Sequence, residues 1–253
     1  MVVMIALLLS VALARLSIWD THPRSRPYTL GLVILAAGNA LTLPGADDHI
    51  DPALAETFGS QNITDRLNAL CVVSACYLYG LINLRALTTR RWTWAWTAAA
   101  IAVLATLITA GQVGDLSSTP VDYVFGLRDT YTTAYLAAML GFAAVTCVLV
   151  LVGAARAFRT SRPELRRALI VLTTVGVAGS CYVGIGIIWL LAHPAWIAEH
   201  QRTILAVGPA VVLTGIAAAG LSGLVDAMLW RRRHRPAHRP VGAALGLIHW
   251  PIW

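Results

Sequence analysis

The side chains that could do chemistry in this chain are few and scattered. The densest acidic stretch is Asp47-Asp48-His49-Ile50-Asp51, whose oxygen and imidazole groups suit a divalent cation. Its three carboxylates follow no fixed ligand spacing, so we interpret the stretch as a solvated loop. His193 and His200 lie seven residues apart and could share a helix face, which is a weaker signal still. The sequence therefore predicts neither a metal site nor a cofactor site.

Sequence motifs for catalysis are missing as well. The chain has no phosphate-binding glycine loop, no H-E-x-x-H and no G-x-S-x-G. A membrane protease or lipid transferase would need converging acid, base or nucleophile side chains, and none stands out, so we predict that the chain is not an enzyme. All nineteen basic residues are arginine. Without a lysine amine there can be no retinal Schiff base, which excludes a rhodopsin.

Two charged residues lie inside apolar stretches, near their ends. Arg15 is close enough to the end of the first stretch for its side chain to reach the interface. Asp226 precedes Trp230-Arg231-Arg232-Arg233 by one helical turn. Because charge inside the hydrocarbon is costly and usually marks function, we predict an ion pair at this end, with a gate or switch contact as the alternative.

Uncharged polar residues are more frequent in the apolar stretches. Asn39, Tyr77 and Tyr182 could converge on a small central pocket. The competing interpretation is that they hold helices together, since a polar group in lipid needs a partner.

Seven apolar stretches must position these side chains. The composition is 58% hydrophobic and 12% charged, whereas a soluble domain carries about 25% charged residues. A crossing helix needs roughly 20 mostly apolar residues. We therefore predict an all-α polytopic membrane protein, a bundle of seven transmembrane helices over residues 2–19, 29–46, 67–84, 93–113, 131–154, 168–191 and 204–229.

Arginine gathers on every second connection between these stretches. Fifteen arginines follow the first, third, fifth and seventh stretches, and three lie on the opposite side, where most acidic residues occur. The positive-inside rule then places the N-terminus outside and the C-terminus in the cytoplasm. We divide the chain into a transmembrane domain, 1–229, and a basic cytoplasmic tail, 230–253.

One alternative changes the number of helices. Ala12-Leu13-Ala14 resembles a signal-peptidase site after a short apolar run. Cleavage there would leave six helices and place every later loop on the side that the positive-inside rule disfavours. The segment also lacks the basic N-terminal region of a signal peptide. Seven uncleaved helices remain our interpretation.

Small residues predict how the last two helices pack. Gly176, Ser180 and Gly184 recur at intervals of four in the sixth stretch, and Gly215, Ala219 and Gly223 do so in the seventh. Such stripes let helix backbones approach closely in lipid. We expect these two helices to pack together inside one bundle, with dimerisation as the alternative.

Two segments carry a resemblance to a known family. Phe58-Gly59-Ser60-Gln61-Asn62-Ile63-Thr64 enters the third stretch, and Arg162-Pro163-Glu164-Leu165-Arg166-Arg167-Ala168-Leu169 enters the sixth. With seven helices, the chain resembles an actinobacterial family of integral membrane proteins labelled as transporters. That family adds a cytoplasmic helical domain opening with P-L-W. This chain instead ends at His249-Trp250-Pro251-Ile252-Trp253, so the resemblance implies that the domain is missing or truncated.

We therefore hold two hypotheses for a multi-pass protein of a bacterial plasma membrane. One is a sensor or scaffold that relays to a cytoplasmic protein partner, a layout similar to the seven-helix region that precedes bacterial histidine kinases. The other is a small-solute transporter with an uncharged central pocket. The net charge of +7 sits beside apolar stretches, so the predicted partners are membrane lipids, including anionic lipids at the arginine-rich face, and not nucleic acid. The sequence leaves the oligomeric state open.

Overall fold

The computed structural model describes residues 1–20, 23–88, 90–119, 127, 129–160, 163–192 and 195–233. This part of the chain is all-helical, without a strand, and has eight α-helices. They are α1 (Val2–Leu16), α2 (Arg26–Leu41), α3 (Pro44–Phe58), α4 (Ile63–Leu87), α5 (Arg90–Val113), α6 (Thr130–Thr160), α7 (Pro163–Ala192) and α8 (Ala195–Arg233). Short 3₁₀ turns cover Pro23–Ser25 and Asp115–Ser117.

Five of these helices, α4 to α8, are long and apolar enough to cross a membrane. Their apolar spans are Ile63–Leu87, Arg91–Val113, Thr130–Arg159, Arg166–Ala192 and Ala206–Asp226. The first two helices are shorter than predicted, with 15 residues in α1 and 16 in α2. At 1.5 Å per residue they reach about 22–24 Å, less than the roughly 30 Å of a hydrocarbon core. The composition is that of a multi-pass membrane protein.

The predicted second helix, 29–46, is divided by a break. Helix α2 ends at Leu41, and Leu43 is extended, with ψ 136°, before Pro44 opens α3. Proline suits the first turn of a helix because its missing N–H has no partner there anyway. The acidic stretch predicted to be a loop is therefore part of helix α3, which ends at Gly59 in the left-handed conformation, φ 65°.

The helices form a ring of neighbours. Helix α1 packs against α2 and α8, α2 against α4, α4 against α6, α6 against α7, and α7 against α8. Helix α5 lies outside this ring, against α4 and α6, and α3 packs on α4.

Two hydrophobic clusters hold the ring together. Around α4, α5 and α6, the Trp96 and Phe142 rings stack with their centres 4.4 Å apart, and Leu107 and Leu136 are buried. Around α1, α2, α4 and α8, Leu8 and Leu32 are fully buried.

Large apolar side chains also cover the outside of the bundle. Several lie mid-helix and are at least half exposed: Ile101, Ile108, Val145, Val148, Ile170, Val177, Val207 and Val211. A water-soluble protein seldom exposes so many large apolar side chains in the middle of its helices. Lipid is the solvent that suits this surface.

Candidate functional site

The most unusual side chain in the bundle is Arg15, which is 7% exposed near the end of α1. Its Nε donates a hydrogen bond to Thr29 Oγ1 of α2, at 3.3 Å. Its Nη1 donates to the carbonyl oxygen of Gly220 in α8, at 2.8 Å. A buried charge costs free energy unless hydrogen bonds replace its water. One guanidinium therefore joins three helices.

Two tyrosines complete the surroundings of this guanidinium. The Tyr28 ring centre lies 4.8 Å from Arg15 Cζ, a cation–π contact, and the Tyr28 hydroxyl donates to the carbonyl oxygen of Ile216 in α8. The Tyr79 ring of α4 meets the Tyr28 ring edge to face, with centres 5.2 Å apart. We call Arg15, Tyr28, Thr29 and Tyr79 the arginine–tyrosine cluster.

Glycines make room for this cluster. A Cβ atom on Gly31 would lie 2.8 Å from Cζ of Tyr79. One on Gly220 would lie 2.9 Å from Cε1 of Tyr28 and 3.1 Å from Cγ1 of Val11. The close approach of α2 to α4 and of α8 to α1 and α2 thus depends on the missing side chains.

Asp226, for which we predicted an ion pair at this end of the bundle, lies on α8 and is half-buried. Gly223, one turn earlier on α8, is near the guanidinium: a Cβ atom there would be 3.6 Å from Nη1. The hydrogen bonds that hold Arg15 go to a hydroxyl and a carbonyl. Arg15 thus acts first as a tie between helices.

The structure places the three residues of the predicted central pocket at different contacts. Asn39 is buried, and its amide donates to the carbonyl oxygen of Leu35 in its own helix. The Tyr77 hydroxyl pairs with Thr97 Oγ1 of α5, at 3.2 Å. The Tyr182 ring faces Gly208 of α8. Each residue thus has its own packing role.

Cavities occur along the seam between α7 and α8. Two adjoining ones, of about 160 and 380 Å³, share Ala178 and Val211. Tyr182 lines the larger cavity, whereas Asn39 and Tyr77 line neither. We call the pair the α7/α8 groove; its walls also include Ile170, Thr174, Cys181, Ile185, Thr203 and Val207.

The small-residue stripes predicted on α7 and α8 divide among different neighbours. On α7, Gly176 faces Leu151 of α6, the Ser180 hydroxyl donates to the Gly176 carbonyl, and nothing lies within 4 Å of a Cβ atom on Gly184. On α8, Gly215 faces Val175 of α7, Ala219 is buried, and Gly223 approaches Arg15.

The stripe that packs closely on α7 is Gly176, Gly179 and Gly186. These glycines meet Leu151, Cys147 and Leu140 of α6, in antiparallel order. Helices α7 and α8 each carry small residues on more than one face. The sequence alone therefore does not show which face packs against which neighbouring helix.

A polar cap closes the opposite end of the bundle and uses the segment singled out before α4. Asn62 adopts the left-handed conformation, φ 52°, and its amide donates to the carbonyl oxygens of Leu116 and Thr119, at 2.9 and 2.8 Å. The Thr64 N–H donates to Asp51 Oδ1 at 2.8 Å, which ties α3 to the start of α4. Asp51, from the acidic stretch, thus serves as a helix cap.

Asp129 caps α6 at the same end. Its Oδ1 accepts the N–H groups of Tyr131 and Thr132, at 2.9 and 3.0 Å. Desolvation by itself would raise the pKa of this carboxyl, but the hydrogen bonds from Thr132, Tyr131 and Asp115 outweigh it and lower the pKa below its usual value. The cap is therefore an ionised carboxylate at neutral pH.

Sequence reasoning missed most of the arginine–tyrosine cluster. Arg15 was singled out, but Thr29, Tyr28 and Tyr79 were not connected to it. The available signal covered only α2: Arg15 lies one residue before the end of α1, and Tyr28 and Thr29 follow soon after in the first turn of α2.

Among the described residues, no group of three or more His, Cys, Asp and Glu side chains is placed to hold a metal ion. The segments 121–126 and 234–253, which include most of the basic tail, lie outside the described residues, as does His193. No protein-family model, curated protein or solved structure matches the chain.

Proposed function

We propose that the protein is a seven-span plasma-membrane protein that acts as a sensor or scaffold and relays to a cytoplasmic partner. The observation that carries this proposal is the hydrogen bond from Arg15 to Gly220, which couples the first helix to the last inside a packed bundle. The N-terminus lies outside, and the end of α8 lies in the cytoplasm.

The place of α1 and α2 in the ring supports seven spans rather than five. Both helices bury side chains against the long helices, as Leu8 and Leu32 show. Short helices cross a bilayer at a modest cost by thinning it locally or by extending through flanking residues. With α3 lying outside the count, α1, α2 and α4 to α8 make seven crossings.

The contact between α1 and α8 supports an odd number of crossings. Arg15 lies one residue before the end of α1, and Gly220 lies six residues before the end of the apolar span Ala206–Asp226. If both helices run in the same direction, their C-terminal ends share one face. An odd count gives that arrangement.

Charge supports the orientation. The arginines at the end of α4, the start of α5, the end of α6 and the start of α7 are exposed: Arg85, Arg91, Arg156, Arg159, Arg166 and Arg167. The polar cap at the other end carries Asp51, Asp115 and Asp129. The arginine-rich face belongs in the cytoplasm by the positive-inside rule.

Packing favours a sensor or scaffold over a transporter. A small-solute transporter needs a polar site near the midplane that opens to each side in turn. Here Asn39 and Tyr77 are engaged by neighbouring groups, and the α7/α8 groove is apolar and lies on the outer surface.

The length of α8 suggests a path for a signal. Its 39 residues extend about 58 Å, nearly twice a hydrocarbon core. The helix is continuous through Arg233, and it is held by Arg15 at Gly220 and by Tyr28 at Ile216. A displacement of α1 or α2 would therefore reach the cytoplasmic end of α8.

Cysteine accessibility tests the proposal. We would place single cysteines at Asn39, Tyr77 and Tyr182 in a background without the native cysteines, and treat the reconstituted protein with a water-soluble methanethiosulfonate from each side. A sensor or scaffold leaves all three unmodified, while a control cysteine at exposed Ser118 reacts fully. Modification of Asn39 or Tyr77 from either side would favour transport and overturn the proposal.

A further inference from the structure

The α7/α8 groove has the shape of a site for a lipid chain. On α7 its wall is formed at helical spacing by Ile170, Thr174, Ala178, Cys181 and Ile185. From Ile170 to Ile185 this wall is about 22 Å long, longer than the roughly 15 Å of one hydrocarbon leaflet. The groove is open to the outside of the bundle, where Thr174, Val207 and Val211 are exposed.

Among the side chains that the structure describes, the positive charge next to the groove lies at its Ile170 end. Arg166 precedes Ile170 by four residues, so it continues the same face of α7. Its guanidinium is exposed and lies 5.5 Å from the centre of the Phe158 ring at the end of α6. Arg167 is exposed beside it. The groove's opposite end is formed by Ile185, Thr203 and Ile204, and the exposed charge described one turn before Thr203 on α8 is the acidic Glu199.

The apolar α7/α8 groove and the arginines at its end together fit an amphiphile with an anionic head. Arginine binds phosphate through a planar fork of N–H donors, and its stacking on an aromatic ring restricts the directions it can take. A basic end and a long apolar wall match an anionic phospholipid better than a soluble solute.

We propose that the α7/α8 groove binds one anionic phospholipid of the cytoplasmic leaflet, with an acyl chain along the groove and its phosphate at Arg166. The proposal rests on the membrane orientation proposed above. The bound lipid would brace α7 against α8 along the seam that carries Tyr182 and Gly208.

Lipid-dependent thermal unfolding of the full chain in neutral detergent tests this site. Phosphatidylglycerol should raise the unfolding midpoint at concentrations where phosphatidylcholine of the same chains does not. Glycerol phosphate, which has the head without the chains, should have no effect. Stabilisation by glycerol phosphate, or equal stabilisation by both lipids, would overturn the proposal.

Matched variants locate the site. Arg166→Gln should weaken the apparent affinity for phosphatidylglycerol about fivefold, the share of one arginine at a lipid surface. Arg85 is an exposed arginine of α4 at the same end of the bundle, and Arg85→Gln should leave this affinity unchanged. Equal losses in both variants would mean diffuse attraction to the whole face and would contradict a specific site.

Filling the groove with a larger side chain is a second, independent test. Thr174→Trp, at an exposed wall position, should abolish the stabilisation by phosphatidylglycerol, whereas Val148→Trp on the exposed face of α6 should not. If Thr174→Trp unfolds at a lower temperature than the wild type without lipid, Val207→Trp takes its place. Retained stabilisation in the folded groove variant overturns the proposal.

The outcome is separable from that of the proposed topology. A cysteine at Ala86, at the arginine-rich end of α4, reports the orientation in whole cells. If Ala86→Cys is protected from outside and lipid selectivity is still missing, the lipid site alone is wrong. If Ala86→Cys is labelled from outside, the orientation is wrong, and with it the assignment of the lipid to the cytoplasmic leaflet.

Discussion

At the scale of single residues, the two hydrogen bonds of Arg15 require an arginine at this position. Its Nε and Nη1 are different atoms, and each donates to a different helix. A lysine has one compact ammonium on a shorter side chain, so it cannot reach both acceptors in the same way.

We therefore expect Arg15→Lys to lower the thermal stability of the purified protein, by roughly 1–3 kcal/mol for a lost hydrogen bond at a charged group. Differential scanning fluorimetry in detergent measures this. Arg85→Lys, the same exchange at an exposed position, is the control and should have no effect. Equal midpoints for both variants would show that Arg15 is not a tie between helices.

Asp129 gives a prediction about pH. Because its pKa is lowered in the folded protein, its contribution to stability is complete above the usual carboxyl pKa and is lost as the pH falls through the lowered value. Asp129→Ala should cost about 1 kcal/mol at neutral pH by removing the cap of α6, and Asp129→Asn much less, because asparagine also caps helices.

Unfolding midpoints at neutral pH and at about pH 3 separate these effects, because protonation removes the charge that the cap hydrogen bonds favour. The wild type should lose more stability on acidification than Asp129→Asn does. Identical acid sensitivity in the two proteins would mean that other carboxylates dominate.

Residue-level prediction from the sequence reached only part of this picture. Arg15 stood out because a charge within an apolar stretch is costly. Its partners did not, because a threonine hydroxyl, a tyrosine ring and a carbonyl oxygen leave no pattern in the sequence. Asn62 was noticed within a motif, but its left-handed backbone and its bonds to Leu116 and Thr119 depend on where α5 ends.

At the scale of helices, glycines decide which pairs approach closely. Gly80 of α4 lies under the Trp96 ring of α5, where a Cβ atom would clash with Cζ2. The ring cannot move easily, because its Nε1 donates to the Tyr77 carbonyl and its face stacks on Phe142. The contact between α4 and α5 is therefore fixed at this point.

Gly80→Ala should lower stability by roughly 1–3 kcal/mol through overpacking, measured by thermal unfolding. Gly184→Ala is the matched control, since a Cβ atom there meets nothing within 4 Å. It should be neutral or slightly stabilising, because alanine is the better helix former. A neutral Gly80→Ala would show that α4 and α5 pack less closely than the structure has them.

Helix prediction succeeded where apolar runs were long. The stretches that became α4 to α8 were all predicted, and each helix extends past its apolar run because arginines and polar residues at the ends still propagate a helix. Helix α3 was missed because its acidic residues and two prolines indicate a loop, although Pro44 occupies the first turn and Gly59 ends the helix.

At the scale of the whole molecule, the topology that we propose is based on two independent features. One is the distribution of arginine along the chain, which needs no structure. The other is the hydrogen bond that joins the end of α1 to Gly220, near the end of the apolar span of α8, which needs no assumption about charge. We propose seven spans rather than five because Leu8 of α1 and Leu32 of α2 are buried in one cluster with residues of α4 and α8.

Labelling in whole cells decides the orientation. Single cysteines at Ser118, in the exposed turn after α5, and at Ala86, exposed at the end of α4, lie at opposite ends of the bundle. An impermeant maleimide should label Ser118→Cys and leave Ala86→Cys unlabelled until the cells are permeabilised. The same pair in inverted vesicles should give the opposite result, which controls for differences in reactivity. Labelling of Ala86→Cys in intact cells would reverse the orientation, and labelling of both would show that the chain does not separate two compartments.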